Sequence, residues 1–244
     1  LDNCEGTSDP SVGFLDTSET VEKTAIVILS DDRSLSTYPW EHVYLSYLEF
    51  WWPGHGRQKG WRRIKENVVQ RAVESILPLY PNMIRFSIDT KLGAKKEPEE
   101  SWPVQMYREL RKGEGAWRRK IEKWKGTSDD SDIGWDLFLA RVLEQTIRLQ
   151  KSPEIIEEVK GLMLQRPRQS DRKARVVDRN RRQMHKDITQ CLADLCWVIK
   201  REQLRGHRTR YTKADAAQRR VTSLLQGGTV SKTLSRSRLG MDSF

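Results

Sequence analysis

Aromatic side chains, which bring large areas into a core, are concentrated in the first two thirds of this chain. The 244 residues include nine Trp, six Tyr and five Phe, and only Trp197, Tyr211 and Phe244 follow Arg166. Apolar residues make up 36% of the chain and charged residues 32%, so a packed core depends strongly on these aromatic side chains. We therefore predict that residues 1–165 form a body that folds and melts cooperatively without the last third.

The last third also differs from the body in charge. Residues 166–244 contain 20 Lys and Arg against 7 Asp and Glu, a net charge of +13, whereas residues 1–165 carry −3. A basic block on a nearly neutral body is typical of a contact with a polyanion. Residues 166–182 place Arg at helical spacing, which lets guanidinium groups contact successive phosphates. In a second cluster, the ring of Tyr211 can stack on an unpaired base. The predicted nucleic-acid contacts are Arg166, Arg168, Arg172, Lys173, Arg175, Arg179, Arg181, Arg182, Arg205, Arg208, Arg210, Tyr211 and Lys213.

Hydrophobic periodicity predicts an α+β fold that is mostly helical, with a small N-terminal α/β unit. Residues 1–22 are acidic and rich in Gly, Ser and Thr, so we expect a flexible arm there. Residues 23–100 form the α/β unit, with strands at 24–30 and 83–89 and a helix at 61–79. The segment around residues 40–52 has helical spacing but the Tyr, Val and Trp content of a strand. We favour the helix because of the spacing.

The remainder of the chain is predicted to be helical, as a body over residues 101–165 and a basic arm over 166–226, followed by a disordered basic tail over 227–244. One long helix is expected at residues 170–205. Its apolar residues repeat at the heptad spacing of three and four, so this stripe should be covered by the body, a second copy or another subunit. The stripe consists of Val177, Met184, Ile188, Cys191, Leu195 and Val198.

Several other residues are candidates for binding sites. His55 lies in a Gly-rich basic loop that we interpret as a turn, with an anion site at the following helix as the alternative. Trp51 and Trp52 at this turn, with Ile188 and Leu195, are the predicted protein contacts. A zinc set is rejected because its spacing lacks a C-x2-C pair, and we expect no metal and no cofactor. The rejected set is His185, Cys191, Cys196 and His207.

No catalytic motif is evident in the sequence. The acidic pairs at 31–32, 99–100 and 129–130 fall in predicted loops and are interpreted as turn or cap residues. Neither a Ser-His-Asp nor a Cys-His arrangement can be inferred from sequence order. We therefore predict that the chain is not an enzyme.

The predicted function is that of a non-catalytic, RNA-binding structural subunit of a large ribonucleoprotein, with an organellar (mitochondrial) ribosome as the favoured assembly. Its partners would be the RNA phosphate backbone and other protein subunits. The strand–helix–strand spacing from about residue 45 to 89 resembles that of the small thioredoxin-like subunits of mitochondrial ribosomes and respiratory complex I. The alternatives are an oligomerising scaffold or viral accessory protein, and an enzyme with an unrecognised site.

An intracellular location is expected, in the mitochondrial matrix or alternatively in the nucleus. The three cysteines are too few for a secreted disulfide framework. The sequence has no apolar run long enough to span a membrane. It does not begin with Met, which suits either a fragment or the removal of a leader.

Polyanion binding is predicted to depend on the basic arm. Replacing Arg172, Arg175, Arg179 and Arg182 together by Gln should weaken RNA binding. The dependence of log K on log salt should also flatten, by roughly 0.7 for each single-strand phosphate that is no longer bound. Fluorescence anisotropy titrations at several salt concentrations measure both quantities, and an unchanged affinity and slope would show that the arm does not bind the polyanion.

Overall fold

The computed structural model describes residues 6–17, 23–55, 58–90, 101–124, 126–165, 175–178 and 187–205. The chain divides into two compact units, Leu1–Ile199 and Lys200–Phe244. The first unit holds the sheet and the helices packed on it. In the second unit the description covers residues 200–205, which are helical. The exposed Arg205 and the half-buried Glu202 form an ion pair there, 2.9 Å apart.

A six-stranded mixed sheet organises the first unit, with the strand order β5-β4-β1-β2-β3-β6. Strand β2 is antiparallel to both β1 and β3, while β4 is parallel to β1 and to β5, and β6 is parallel to β3. The strands are β1 (Ser11–Asp16), β2 (Thr24–Asp31), β3 (Val43–Trp51), β4 (Met83–Asp89), β5 (Ile121–Trp124) and β6 (Ile147–Arg148). A separate antiparallel pair is formed by β7 (Leu162–Gln165) and β8 (Arg175–Asp178).

Helices cover both faces of the sheet and give two apolar cores. They are α1 (Glu66–Ile76), α2 (Trp102–Arg111), α3 (Ser128–Leu143), α4 (Pro153–Gly161) and α5 (residues 187–205). Short 3-10 turns, Leu77–Leu79 and Ala116–Lys120, follow α1 and precede β5. One core contains residues of α1 and α2 and the other contains residues of α3, α4 and α5. Because both faces are covered, all eight residues of β2 are buried, which explains the uninterrupted apolar run from Ala25 to Leu29.

The predicted mostly helical fold is wrong, because a mixed sheet forms the centre of the unit. The flexible arm predicted for residues 1–22 contains β1, which pairs with β2 on one side and with β4 on the other. The strands predicted at 24–30 and 83–89 are confirmed by β2 and β4. The resemblance to thioredoxin-like subunits fails as well, since β1 and β2 separate β3 from β4 in the sheet.

The helix favoured for residues 40–52 is also wrong, and a bulge in β3 explains the misleading spacing. Tyr47 pairs with Ile28, whereas Leu45 pairs with the next residue of β2, Leu29, so Ser46 is an extra residue in β3. The extra residue moves the following side chains to the other face. Thus Leu45 lies in the α3–α5 core and Tyr47 in the α1–α2 core, and this break in the alternation imitates a helical period.

Two further predicted helices are replaced by strands. Residues 121–124, expected to be helical as part of the body over residues 101–165, form β5 beside β4. The long helix expected at 170–205 is interrupted, because Arg175–Asp178 is strand β8, paired with Leu162–Gln165. None of the helices in the ranges described is long and apolar enough to cross a membrane.

Helix α5 is part of the core of the first unit, and the body predicted to fold without the last third is therefore incomplete. Four residues of its predicted stripe are fully buried in the α3–α5 core: Ile188, Cys191, Leu195 and Val198. The partner of these four residues is thus the chain's own sheet and helices. A chain ending near residue 165 should lack one side of this core.

Leu195→Ala should lower the free energy of unfolding by about 2–5 kcal/mol, since the substitution leaves a cavity at a fully buried position. The matched control is Leu143→Ala, because Leu143 is 81% exposed at the end of α3, and the control should change stability by less than about 0.5 kcal/mol. Urea unfolding followed by tryptophan fluorescence measures both values. Equal effects would contradict the packing of α5 against the sheet.

Candidate active site

The parallel strands β1 and β4 end side by side at two aspartates. Strand β1 ends at Asp16 and β4 at Asp89, and Leu15 pairs with Ile88 one position earlier. The Thr17 hydroxyl donates a 2.9 Å hydrogen bond to the Asp89 carbonyl oxygen, which ties the two strand ends together. In open sheets with parallel strands, ligands bind beyond the carboxyl ends of the strands, so this edge is a natural place for a site.

Both aspartates belong to the face of the sheet that α5 covers. Side chains alternate along a strand, and Phe14 lies in the α3–α5 core, so Asp16 is on that face. In β4, Phe86 and Ile88 lie in the α1–α2 core. Asp89, one residue after Ile88, is therefore on the α3–α5 face as well.

Helix α5 adds a third carboxylate at its first turn. The backbone N–H of Lys23 donates a 3.0 Å hydrogen bond to Oδ2 of Asp187. Lys23 directly precedes β2, in which Ala25 pairs with Asp16. The sheet edge and the start of α5 therefore bring Asp16, Asp89 and Asp187 to one end of the molecule. All three side chains are half-buried.

Cys191 is fully buried in the first turns of α5, close to several acids. Burial raises the pKa of Cys191 well above its usual value, and the negative charges of Asp16, Asp194, Asp187 and Glu158 raise it further. Burial also raises the pKa of Cys196 to about 12. Both thiols are protonated at neutral pH and serve as packing groups, as the sequence predicts for Cys191. His185 and His207 of the rejected zinc set lie outside the described residues.

A buried ion pair holds the elements around Asp187 together. The Lys23 ammonium lies 2.8 Å from Oε1 of Glu158, and the two side chains are only 6% and 3% exposed. The other carboxylate oxygen of Glu158 accepts hydrogen bonds from the backbone N–H and the hydroxyl of Thr189, at 2.9 and 3.3 Å. Burial raises the pKa of Glu158, while Lys23 and the Thr189 hydrogen bonds oppose this effect. Glu158 on α4 thereby joins the entry to β2 to the first turn of α5.

The three aspartates supply the donor atoms that a hard divalent cation prefers. Mg²⁺ and Mn²⁺ favour carboxylate oxygens. Among the side chains that the structure describes, no three His, Cys, Asp or Glu already surround a common metal position. Mg²⁺, however, usually keeps several waters and is bound by one or two carboxylates together with substrate phosphates. Asp16, Asp89 and Asp187 fit such a site by their chemistry and by the face of the sheet they share.

The predicted protein contacts have different surroundings. Trp51 lies in the α1–α2 core, not on the surface as predicted, and Ile188 and Leu195 lie in the α3–α5 core. Trp52 is half-buried in the turn after β3.

Of the predicted nucleic-acid contacts, Arg175 lies on β8 and Arg205 is exposed on α5. The others fall outside the described residues: Arg166, Arg168, Arg172, Lys173, Arg179, Arg181, Arg182, Arg208, Arg210, Tyr211 and Lys213.

The three aspartates were missed by the sequence analysis. Asp16 was placed in the flexible arm and Asp89 on the polar face of a half-buried strand, while Asp187 fell within the basic arm. A signal was present, because SVGFLD and MIRFSID are both apolar segments that end in Asp. That signal becomes informative only when the two strands are known to be parallel neighbours.

Comparison with known proteins identifies the fold. No known family and no curated protein matches the sequence. Among solved structures, the large terminase nuclease from thermophilic phage G20c with bound magnesium is similar at 12% identity and a TM-score of 0.52, over 80% of this chain and 84% of that one. The HK97 bacteriophage large terminase is similar at 11% identity and a TM-score of 0.52, over 77% of this chain and 40% of that one. At these identities the likeness describes the fold, which is that of terminase nucleases.

These similarities overturn the predicted function. The prediction of a non-catalytic subunit of a ribosome or other ribonucleoprotein is wrong, because the fold is shared with large terminase nuclease structures. The prediction that the chain is not an enzyme is wrong for the same reason. The ribosomal and mitochondrial assignments have no support in the fold.

Breaking the Lys23–Glu158 pair should destabilise the protein strongly. Lys23→Met or Glu158→Gln should each cost about 3–5 kcal/mol, because each leaves a buried polar or charged partner without its counterpart. The double variant should lose clearly less than the sum of the two single variants. Chemical denaturation of all four proteins gives the coupling energy. As a matched control, Glu109→Gln removes the carboxylate from the exposed Glu109–Lys112 pair and should cost less than about 1 kcal/mol. Additive effects at Lys23 and Glu158 would argue against the pair.

Proposed function

We propose that this chain is a divalent-metal-dependent nuclease that hydrolyses phosphodiester bonds in nucleic acid. Asp16, Asp89 and Asp187 are the proposed metal-binding residues. The observation that carries the proposal is their placement, at the ends of two parallel strands and at the start of one helix, at the carboxyl edge of one face of the sheet. The shared fold with terminase nucleases, one of them solved with bound magnesium, supports the same assignment.

Each aspartate has a defined structural role in this proposal. Asp16 and Asp89 are fixed by the pairing of β1 with β4, so their spacing is set by the rigid sheet. Asp187 is oriented by the Lys23 backbone N–H, and Glu158 holds the turn of α5 that carries it. The chemistry that a divalent cation supplies at such a site is polarisation of a phosphoryl oxygen and activation of a water molecule.

The charge of the chain supports a nucleic-acid substrate. Residues 166–244 carry a net charge of +13, and such a charge attracts phosphates in a salt-dependent manner. We infer that the basic residues predicted as nucleic-acid contacts help to hold the substrate. This role does not require RNA, since phosphate contacts carry no sequence information.

The test is cleavage by single-residue variants. Asp16→Asn, Asp89→Asn and Asp187→Asn each keep the size of the side chain and remove its charge. Each should lower the Mg²⁺- or Mn²⁺-dependent cleavage rate by more than about 100-fold, because even outer partners of metal ligands account for 10–100-fold. Plasmid DNA, linear duplex, single-stranded DNA and RNA should all be tested as substrates, with EDTA as the metal-free reference.

Asp136→Asn is the matched control, since Asp136 is exposed on α3 and is not one of the three proposed ligands. This variant should cleave at the rate of the parent protein. A parent protein without cleavage of any of these substrates in Mg²⁺ or Mn²⁺ would refute the proposed function. Full activity in all three site variants would refute the proposed residues.

A further inference from the structure

The segment that follows β3 lies at the same edge of the sheet as the three aspartates. Strand β3 is antiparallel to β2, and its last residue, Trp51, pairs with Thr24 at the start of β2. The next residue of β2, Ala25, pairs with Asp16. The chain therefore leaves β3 beside the candidate site before it enters α1.

Two aromatic rings are stacked in this segment. The rings of Trp52 and His55 lie 3.6 Å apart at an interplanar angle of 15°. The turn between them is closed by a 3.1 Å hydrogen bond from the His55 N–H to the Trp52 carbonyl, and Gly54 supplies a positive φ of 81°. Trp52 is half-buried and His55 is exposed. We refer to this pair as the Trp52–His55 stack. The half-buried Trp52 ring supports the His55 imidazole ring, which is exposed to solvent.

The stack is connected to the candidate site through one residue. The Lys23 ammonium lies 4.8 Å from the centre of the Trp52 ring, and the Lys23 backbone N–H donates to Asp187. A nucleotide on the outer side of His55 would therefore be near a phosphodiester bound at the aspartates.

Exposed cations follow the stack along the chain. Residues 58–65, here called the α1 entry segment, contain four basic residues and no acidic residue, and all four basic residues are exposed: Lys59, Arg62, Arg63 and Lys65. The Lys65 ammonium lies 4.8 Å from the centre of the Trp61 ring. Within the described part of the chain, Lys59, Arg62 and Arg63 form no ion pair with an acid. These charges are therefore available to phosphates.

We propose that the Trp52–His55 stack and the α1 entry segment bind an unpaired stretch of nucleic acid next to the cleavage site, with a base on His55 and the backbone along Arg62 and Arg63. Stacking of an aromatic ring on a base needs an unpaired base and tolerates any sequence. The inference builds on the proposed function, and it names the substrate class as nucleic acid with single-stranded character at the cut.

Binding without cleavage tests the stack. Labelled oligonucleotides are titrated in EDTA and followed by anisotropy, with single-stranded DNA, single-stranded RNA, blunt duplex DNA and a strand with abasic nucleotides as ligands. His55→Ala should weaken binding of the intact single strands roughly 5- to 100-fold. It should leave the duplex and the abasic strand unchanged. His55→Phe, which keeps an aromatic ring, should retain the affinity of the parent protein.

The charge contribution has its own matched variants. Replacing Arg62 and Arg63 together by Gln should weaken binding of the intact and the abasic strand alike, and should reduce the salt slope by roughly 0.7 for each phosphate that is no longer bound. Replacing Arg119 and Lys120 by Gln also removes two exposed charges, but at the start of β5, on the opposite edge of the sheet. That control should bind like the parent protein.

Unchanged single-strand affinity in His55→Ala would overturn the proposal. Equal losses on intact and abasic strands would do the same, because they would show that no base is stacked. A weaker affinity for DNA alone, or for RNA alone, would support the proposal and identify the nucleic acid. The test of the proposed function gives a separate result, because the binding titrations are carried out in EDTA. Cleavage that persists in the aspartate variants would refute the proposed metal-binding residues and would leave these binding measurements unaffected.

Discussion

The parallel pairing of β1 with β4 is the constraint on which the site depends. Strand β1 runs antiparallel to β2 but parallel to β4, so the carboxyl ends of β1 and β4 meet at one edge. Backbone hydrogen bonds fix the separation of Asp16 and Asp89, while burial of both faces prevents the strands from shifting register. The positions of Asp16 and Asp89 in the candidate site are therefore fixed by the buried central strands of the sheet.

Helix α5 completes both the α3–α5 core and the candidate site. The buried ion pair of Lys23 and Glu158 connects this helix to the edge of the sheet. Glu158 accepts from Thr189 in the first turn of α5 and bonds Lys23 at the entry to β2. Lys23 in turn contacts Asp187 through its backbone N–H and Trp52 through its ammonium group. Three otherwise separate elements, α4, α5 and the turn after β3, are thus positioned by one residue at the edge of the sheet.

Local sequence patterns predicted the elements whose environment is uniform along their length. Strands β2 and β4 have continuous or alternating apolar residues, and α3 has a Thr127–Asp130 capping box within the turn that was recognised as rich in cap residues. The patterns failed where pairing with distant residues decides the outcome. The bulge at Ser46 gave β3 the spacing of a helix, and the acidic, Gly-rich sequence around β1 led to the prediction of a flexible arm.

The candidate site could not be predicted for the same reason, because Asp16 and Asp89 are 73 positions apart in the sequence and meet only through the strand order of the sheet. The basic character of residues 166–244 was evident from composition, but charge indicates the class of partner and does not distinguish binding from catalysis.

The position of α5 near the end of the described chain has a consequence for protein synthesis. A nascent chain that ends before residue 187 lacks both the buried residues of α5 and the carboxylate of Asp187. One face of its sheet is then covered by α3 and α4 without α5, and the set of three aspartates is incomplete. Folding and assembly of the candidate site are therefore coupled to the same late event, so a prematurely terminated product would be unfolded and would lack the complete site at the same time.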